Sequence, residues 1–291
     1  MRIDLMAGAT LSAALPAQAS EPVILVFDSG LGGLTVLEQV RRARPDAHYL
    51  YAADDAAFPY GRLSEPQLVT RVIAVMERLL TRHAPDLVVI ACNTASTVVL
   101  PALRQRFVTP FVGVVPPIKP AAALTHSRLV SLLATPGTVA RAYTHDLVEN
   151  FAADCAVTLV GSQNLARYAE AEMAGAPVAD EAILAEIAPC FVTGADGRRT
   201  DVVCLSCTHY PLLLGRFERL APWPVTWIDP APAIARRVVQ LLGAAPAGRP
   251  EPPAARAIFT DGGGLNPALG LSLERRGLKE TVVEALPLAV S

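Results

Sequence analysis

Two stretches of the chain share one layout. Residues 86–96 read DLVVIACNTAS and residues 201–211 read DVVCLSCTHYP, so the offset between them is 115 residues (201 − 86 = 115). Each stretch begins with an aspartate, continues through apolar residues over the length of a strand, and ends on a cysteine followed by two polar residues. The repeat predicts two similar halves, each of which places a thiol just beyond a buried strand.

Apolar runs of strand length alternate with helical patterns along the chain. The first pair is a predicted strand at 23–27 followed by a helix at 34–43, and the pattern restarts after residue 117 with a strand at 128–134 and a helix at 138–152. The other predicted elements are helices at 65–84, 94–107, 180–192 and 234–244, and strands at 48–53, 87–91, 111–115, 156–161, 201–206 and 225–229. This alternation predicts an α/β fold with parallel sheets, in which ligands bind beyond the carboxyl ends of strands.

Composition excludes several classes of partner. The net charge is −2 without a basic run, which argues against a nucleic-acid partner. The sequence lacks an apolar run long enough to span a membrane, so we expect no membrane partner. A length of 291 residues favours two domains over one core.

The cysteines and the N-terminus bear on location. The five cysteines are an odd number without a disulfide-framework spacing, which predicts reduced thiols and a cytoplasmic protein. Residues 1–20 end in AQAS, which is similar to a signal-peptide cleavage site, although Asp4 offsets the charge of Arg2. We therefore favour an N-terminal extension or a misassigned start codon for this segment, and a signal peptide stays open as the alternative.

A glycine-rich turn follows the first predicted strand. The segment VFDSGLGGL places Asp28 and Ser29 where the strand ends and leads into a helix. It has the spacing of neither a phosphate-binding P-loop nor a dinucleotide-binding turn. Bare backbone N–H groups at a helix start suit a carboxylate ligand, whereas the alternative is that Asp28 and Ser29 only cap the helix.

The two cysteine turns are the strongest candidates for chemistry. Cys92 and Cys207 each end a strand, and a helix N-terminus is expected to lower a thiol pKa from about 8.5. A single cysteine at such a position is more often a core residue. Two thiols at matched strand ends can instead face each other across a cleft between the two halves.

Cys204 and Cys207 also form a C-x-x-C pair, the spacing of redox sites and of half of a zinc site. Cys204 lies inside an apolar strand pattern, and the sequence offers no second pair to complete four ligands. We therefore expect no metal.

Two further turns carry hydroxyl groups or glycine. FPYGRLSE contains Tyr60 and Gly61 and places Ser64 as a predicted helix N-cap. LATPGTVARAY places Thr135 and Thr138 three residues apart at a strand-to-helix turn. Both hydroxyls can face one ligand, or each can cap the helix.

The segments DSGLGGL, PYG, ACNTAS and CTHYP, in this order, resemble the glutamate racemases of the aspartate/glutamate racemase superfamily over roughly residues 22–240. The resemblance implies interconversion of L- and D-glutamate without a cofactor, with D-glutamate supplied for peptidoglycan synthesis. It also implies two pseudo-symmetric three-layer α/β domains with mostly parallel sheets and an active site in the cleft between them. The second domain would be an insertion, which gives an extension at 1–21, a first domain at 22–116 and 229–291, and a second domain at 117–228.

The resemblance also implies residue roles. Cys92 and Cys207 would be the two proton donors and acceptors, with Asp28 supporting Cys92, His209 supporting Cys207, and Glu170 near the second thiol. The implied substrate-binding residues are Asp28, Ser29, Tyr60, Gly61, Asn93, Thr94, Thr135, Thr138, Thr208 and His209. The implied partner is glutamate, and a homodimer is one assembly that such a chain could form.

Two alternatives stay open at this point. The substrate could be another acidic amino acid such as aspartate, or the chain could bind an amino acid or a protein without catalysis. The sequence departs from the family pattern at Ser206, where glycine is common, at GSQN (161–164), at ADDAAF (53–58) and at FTDGGG (259–264).

Overall fold

The fold contains two parallel β-sheets, which confirms the predicted α/β class. The computed structural model describes residues 21–246 and 253–285. The first sheet has six strands in the order β10-β9-β2-β1-β3-β4, all parallel. These strands are β1 Val23–Asp28, β2 His48–Ala53, β3 Leu87–Ile90, β4 Phe111–Gly113, β9 Ala255–Phe259 and β10 Leu278–Val283.

The second sheet is smaller and comes from the middle of the chain. It has four parallel strands in the order β6-β5-β7-β8. These strands are β5 Leu129–Ala134, β6 Ala156–Gly161, β7 Val202–Ser206 and β8 Thr226–Ile228. The chain thus leaves the first sheet after β4 and returns to it at β9, whereas the exact domain limits stay a prediction.

Helices cover both faces of each sheet. Those of the first sheet are α1 Leu34–Ala43, α2 Glu65–His83, α3 Asn93–Arg106, α10 Ala231–Leu242 and α11 Pro267–Arg275. Those of the second part are α4 Ile118–Leu124, α5 Pro136–Val139, α6 Ala142–Phe151, α7 Leu165–Met173, α8 Asp180–Ile187 and α9 Leu214–Leu220. Two apolar clusters lie on opposite faces of each sheet, so each half has three layers.

Local sequence explains most element boundaries. The central strands β1 and β3 are almost continuously apolar because both of their faces are buried. Helix α2 begins with the predicted N-cap, since Ser64 and Gln67 form a capping box and a proline occupies the first turn. Of the helices in the described ranges, none is long and apolar enough to cross a bilayer.

Two predicted helices differ from the structure. The helix predicted at 138–152 is divided into α5 and α6 because Arg141 has an extended backbone and the Thr144 hydroxyl donates to the Thr138 carbonyl. The helix predicted at 180–192 ends at Ile187, and a 3₁₀ turn with Pro189 follows, since proline cannot donate to the helix ladder.

Four helices were not predicted from the sequence, namely α4, α7, α9 and α11. The prediction for residues 1–20 lies outside the described residues. The sequence also predicts an exposed proline-rich linker at 244–256, and its central part, 247–252, lies outside them too.

Candidate active site

The first thiol lies at the start of a helix and is buried. Cys92 occupies the N-cap position of α3 and is 5% exposed. Its Sγ lies 3.8 Å from the Ser29 hydroxyl oxygen. Burial raises the pKa of Cys92 far above the usual range, the nearby charge of Asp28 raises it further, and the helix backbone at Ala95 lowers it only in part. The expectation that the helix N-terminus lowers this pKa was therefore wrong for Cys92, because desolvation outweighs the dipole.

Asp28 ends β1 and lies fully buried between the two halves. Its Oδ2 accepts the backbone N–H of Gly33 at 2.8 Å and lies 3.2 Å from the donating Thr208 hydroxyl. Burial raises the pKa of Asp28, and the charge of His209 lowers it in part. Asp28 thus connects the glycine-rich turn of the first half to the cysteine turn of the second.

The second thiol is the first of three polar side chains that contact one another in series. Cys207 follows β7, and its Sγ lies 3.7 Å from Nδ1 of His209. Nε2 of His209 lies 2.9 Å from Oε1 of Glu170, which also accepts the backbone N–H of Leu31 at 2.8 Å. Burial lowers the pKa of His209 and is the largest single effect, but hydrogen bonds and charges from Cys207 and Glu170 raise it well above the usual range. His209 is therefore a cation-favouring group beside the thiol.

The two cysteine turns approach closely. A Cβ placed on Gly32 would lie 2.4 Å from Oγ1 of Thr208 and 2.5 Å from Nδ1 of His209, so a larger residue there would have to push the two turns apart. The charge of Cys207 is also one of the influences that raise the pKa of Cys92, which places the two thiols within electrostatic reach of each other. The structure brings both thiols to the cleft between the halves.

Three threonine hydroxyls meet across the same cleft. Thr94 lies 3.1 Å from Thr135 and 3.2 Å from Thr138, measured between hydroxyl oxygens, and Thr135 lies 3.0 Å from Thr138. Thr94 belongs to α3 of the first half, whereas the other two flank the start of α5 in the second half. Thr135 also caps α5, so its predicted capping role and its place in this cluster hold together.

Asn93 has a buried side-chain amide whose hydrogen-bonding groups are not satisfied within the described chain. It is 2% exposed, and neither atom of its carboxamide group has a hydrogen-bond partner within the described chain. A buried polar group left without partners costs about 1–3 kcal/mol, so a ligand in the cleft is the natural partner.

Tyr60 and Gly61 differ in what they present to the cleft. The Tyr60 hydroxyl donates to Asp54 at 2.5 Å and its ring is 1% exposed, so the side chain is directed into the core of the first half. Gly61 lies against the second half, where its backbone oxygen would be 3.2 Å from a Cβ added to Gly137. Substrate binding by either residue stays a prediction.

The C-x-x-C pair does not form a site. Cys204 packs in the cluster on one face of the second sheet and Cys207 in the cluster on the other face. Cys204 is fully buried with its Sγ 3.6 Å from the Pro117 carbonyl, and burial raises its pKa far above the usual range. Within the described ranges, no group of three metal-ligating side chains comes together.

A buried network of hydrogen bonds around Asp54 was not predicted from the sequence. Asp54 accepts hydrogen bonds from Tyr60, Arg71 and Thr260 and is fully buried. The signal was present, since Asp54 lies in ADDAAF and Thr260 in FTDGGG, two segments that depart from the family pattern. Their pairing could not be read from the chain because the two residues are 206 positions apart.

Comparison with known proteins agrees with this geometry. Residues 34–238 match the family model described as Asp/Glu/Hydantoin racemase. A glutamate racemase of Agrobacterium fabrum is 58% identical over 220 residues, covering 75% of this chain and 80% of that protein. One of Mesorhizobium japonicum is 54% identical over 261 residues, covering 86% and 98%.

Solved structures give the same answer. Escherichia coli glutamate racemase, crystallised with L-glutamate and the activator UDP-MurNAc-ala, has a TM-score of 0.81 and 42% identity, covering 91% of this chain and 98% of that one. A glutamate racemase from Bacillus anthracis has a TM-score of 0.74 at 26% identity, covering 94% and 100%. The chain therefore belongs to the glutamate racemases of the Asp/Glu/hydantoin racemase family.

Proposed function

We propose that this chain interconverts L- and D-glutamate by moving the Cα proton between two thiols, Cys92 and Cys207, and so supplies D-glutamate for peptidoglycan synthesis. The observation that carries this proposal is the pair of cysteines at matched strand ends, within electrostatic reach of each other and each with its own polar neighbour. A cofactor has no step in this scheme.

The two thiols divide the reaction between opposite faces of the substrate. One cysteine, as thiolate, takes the Cα proton while the other, as thiol, returns a proton from the opposite side, so the two exchange protonation states in each turnover. Their titration belongs to the pair rather than to either residue. A thiolate with an ordinary pKa costs about 2 kcal/mol at pH 7, at 1.36 kcal/mol per unit.

The two cysteines have different titratable neighbours. Cys92 is buried beside the carboxylate Asp28, both of which favour the neutral thiol. Cys207 has a different neighbour, His209, whose pKa is raised. In the conformation described, Cys92 therefore carries the proton.

The remaining cleft residues bind substrate and developing charge. Removing a proton beside a carboxylate places negative charge on the substrate, which fixed hydrogen-bond donors stabilise better than water does. Asn93 has an amide without partners to offer, and Thr94, Thr135 and Thr138 offer hydroxyls. Ser29 and Thr208 lie beside the two thiol centres.

Glutamate is favoured over aspartate because relatives at 54–58% identity are glutamate racemases. A chiral assay with both enantiomers of each amino acid, without added cofactor, tests this substrate. A non-catalytic binding role would leave the paired thiols without a purpose, and the same assay would reveal it as absence of racemisation at high enzyme concentration.

Single replacement of either thiol tests the two-base scheme. Cys92→Ala and Cys207→Ala each remove one proton carrier, so we expect glutamate racemisation to fall at least about a thousandfold, in line with losing a positioned acid–base group. Circular dichroism and thermal melting should show an intact fold. Turnover by either variant within tenfold of the parent would reject the scheme.

Two expectations concern the protein's surroundings. The cytoplasmic location rests on the absence of disulfide spacing among the five cysteines. N-terminal sequencing of the native protein tests it, since a mature start at Ser20 would contradict it. The homodimer rests on the resemblance alone, and light scattering at several concentrations tests it.

A further inference from the structure

Two segments that depart from the family pattern bind each other. Asp54 follows β2 and Thr260 follows β9, and these strands are neighbours in the first sheet. The Thr260 hydroxyl donates to Oδ1 of Asp54 at 2.8 Å, and the Thr260 backbone N–H donates to the carbonyl of Ala53 at 3.2 Å. The C-terminal part of the chain therefore holds the end of β2 by both backbone and side chain.

The turn after Thr260 also binds Asp55, the residue that follows Asp54. Oδ1 of Asp55 accepts the backbone N–H of Asp261 at 2.9 Å, and Oδ2 accepts that of Gly262 at 2.7 Å. Gly262 has a φ of +74°, a conformation that favours glycine. The Thr260 hydroxyl is within 3.2 Å of Asp55 too, so one turn fixes two successive carboxylates.

Asp54 transmits this constraint to the loop that contains Gly61. Its Oδ2 accepts the Tyr60 hydroxyl at 2.5 Å and Nε of Arg71 at 2.9 Å. Asp54 is fully buried and Tyr60 is 1% exposed, so neither can exchange these bonds for water without opening the core. This carboxylate therefore fixes where the Tyr60 side chain lies in the structure, and with it the place of the adjacent Gly61.

Gly61 leaves little space between the loop and the other half of the molecule. A Cβ on Gly61 would lie 3.5 Å from Cβ of Thr135, and one on Gly137 would lie 3.2 Å from the carbonyl oxygen of Gly61. Thr135 belongs to the hydroxyl cluster with Thr94 and Thr138. A shift of the Gly61 backbone therefore changes the space around the threonine hydroxyls that are predicted to bind the substrate.

We propose that Thr260 is a positioning residue for glutamate binding, acting through Asp54 and Asp55 to fix the Tyr60–Gly61 loop against Thr135. This inference rests on the proposed function for the identity of the ligand. Thr260 itself does not touch the reacting atoms. Its removal should loosen the loop and weaken binding, while the two thiols keep their neighbours and their chemistry.

The test compares Thr260→Val with two matched variants. Valine keeps the shape and removes the hydroxyl, and we expect the dissociation constant for glutamate, measured by calorimetry, to rise about fivefold or more, the factor for one lost hydrogen bond. Thr260→Ser keeps the hydroxyl and should restore the parent value. Thr200→Val is the control, because Thr200 is 1% exposed and its hydroxyl bonds only the backbone of Val192, in the second half.

Each outcome supports or overturns the proposal. A rise in KM and in the dissociation constant with kcat within about threefold supports it, and rescue by serine strengthens it. Equal dissociation constants for Thr260→Val, Thr200→Val and the parent, with only stability lost, would show a purely structural role. If Thr260→Val does not fold, Tyr60→Phe cuts the same chain at its other end, and an unchanged dissociation constant there overturns the proposal. Binding without racemisation by the parent protein would instead reject the proposed function.

Discussion

Gly32 is the position at which a single added methyl group should separate the two halves of the site. Its backbone is not in the left-handed region, so alanine is allowed there by conformation and the cost comes from contacts alone. An alanine Cβ would lie 2.6 Å from the backbone nitrogen of His209. A backbone atom cannot rotate away as a side chain can.

The required movement follows from these contacts. Ordinary van der Waals contact begins at 3.4 Å, so the cysteine turn of the second half must retreat by about 0.8 Å, the difference between 3.4 and 2.6 Å. His209 and the adjacent Cys207 would move with it, away from the first half. A misplacement of about 1 Å can cost about a hundredfold in rate, and overpacking costs about 1–3 kcal/mol of stability.

We expect Gly32→Ala to lower kcat for glutamate racemisation by about a hundredfold while the protein stays folded at room temperature. A chiral assay gives kcat, and denaturant unfolding gives the stability change. The control is Gly215→Ala, because a Cβ there meets nothing within 4 Å and lies in α9. The control should keep its rate and be stabilised by up to about 1 kcal/mol. Parent-like kcat in Gly32→Ala would refute the close approach of the two turns.

Two further predictions follow from burial and charge. The pKa of His209 is raised, so the stability it contributes is fully present below its unfolded pKa of about 6.5 and is lost as the pH rises through the folded pKa. The groups that face it are Cys207, Glu170, the charge of Asp28 and the ring of Phe58. The unfolding free energy of the parent protein should decline above pH 6.5, by at most about 1.36 kcal/mol per pH unit for this one group, and His209→Gln should flatten that decline. The same slope in the parent and in His209→Gln would contradict the prediction. Cys204→Ala should keep the rate of racemisation within about threefold of the parent, since Cys204 lies on the other face of the sheet. Unfolding experiments should show a loss of stability of about 1 kcal/mol. A loss of activity as large as that of Cys207→Ala would contradict the prediction.

The elements that the sequence predicted well are those with long, regular apolar patterns. Helix α1 and strand β2 have the predicted bounds because an amphipathic stripe and a buried run leave little choice of state. The position of both cysteines beyond strand ends follows from the same logic. The boundary at Arg141 was missed because it depends on a side chain, that of Thr144, which takes a helix acceptor.

Contacts between residues far apart in the sequence could not be predicted from the chain. The bond between Leu31 and Glu170 joins residues 139 positions apart, and that between Thr260 and Asp54 joins residues 206 apart. Periodicity reports only which face of an element is buried, and it gives no information on what that face meets. The pKa of Cys92 was misjudged for the same reason, because the helix start is visible in the sequence whereas the depth of burial is not.

The pseudo-symmetry of the fold makes the positions of the two thiols alike, whereas the chemistry of the site requires the two thiols to differ. Matched strands deliver two thiols to equivalent places, but a reaction that takes a proton on one side and gives one on the other needs the two thiols to differ at any moment. The difference comes from residues that the repeat does not match. The first cysteine has a buried carboxylate near it, Asp28, which favours the thiol. The second has His209, whose Nε2 lies 2.9 Å from Oε1 of Glu170. A fully symmetric pair would hold both protons alike, so the unequal neighbours, rather than the duplicated strands, make the pair ready to react.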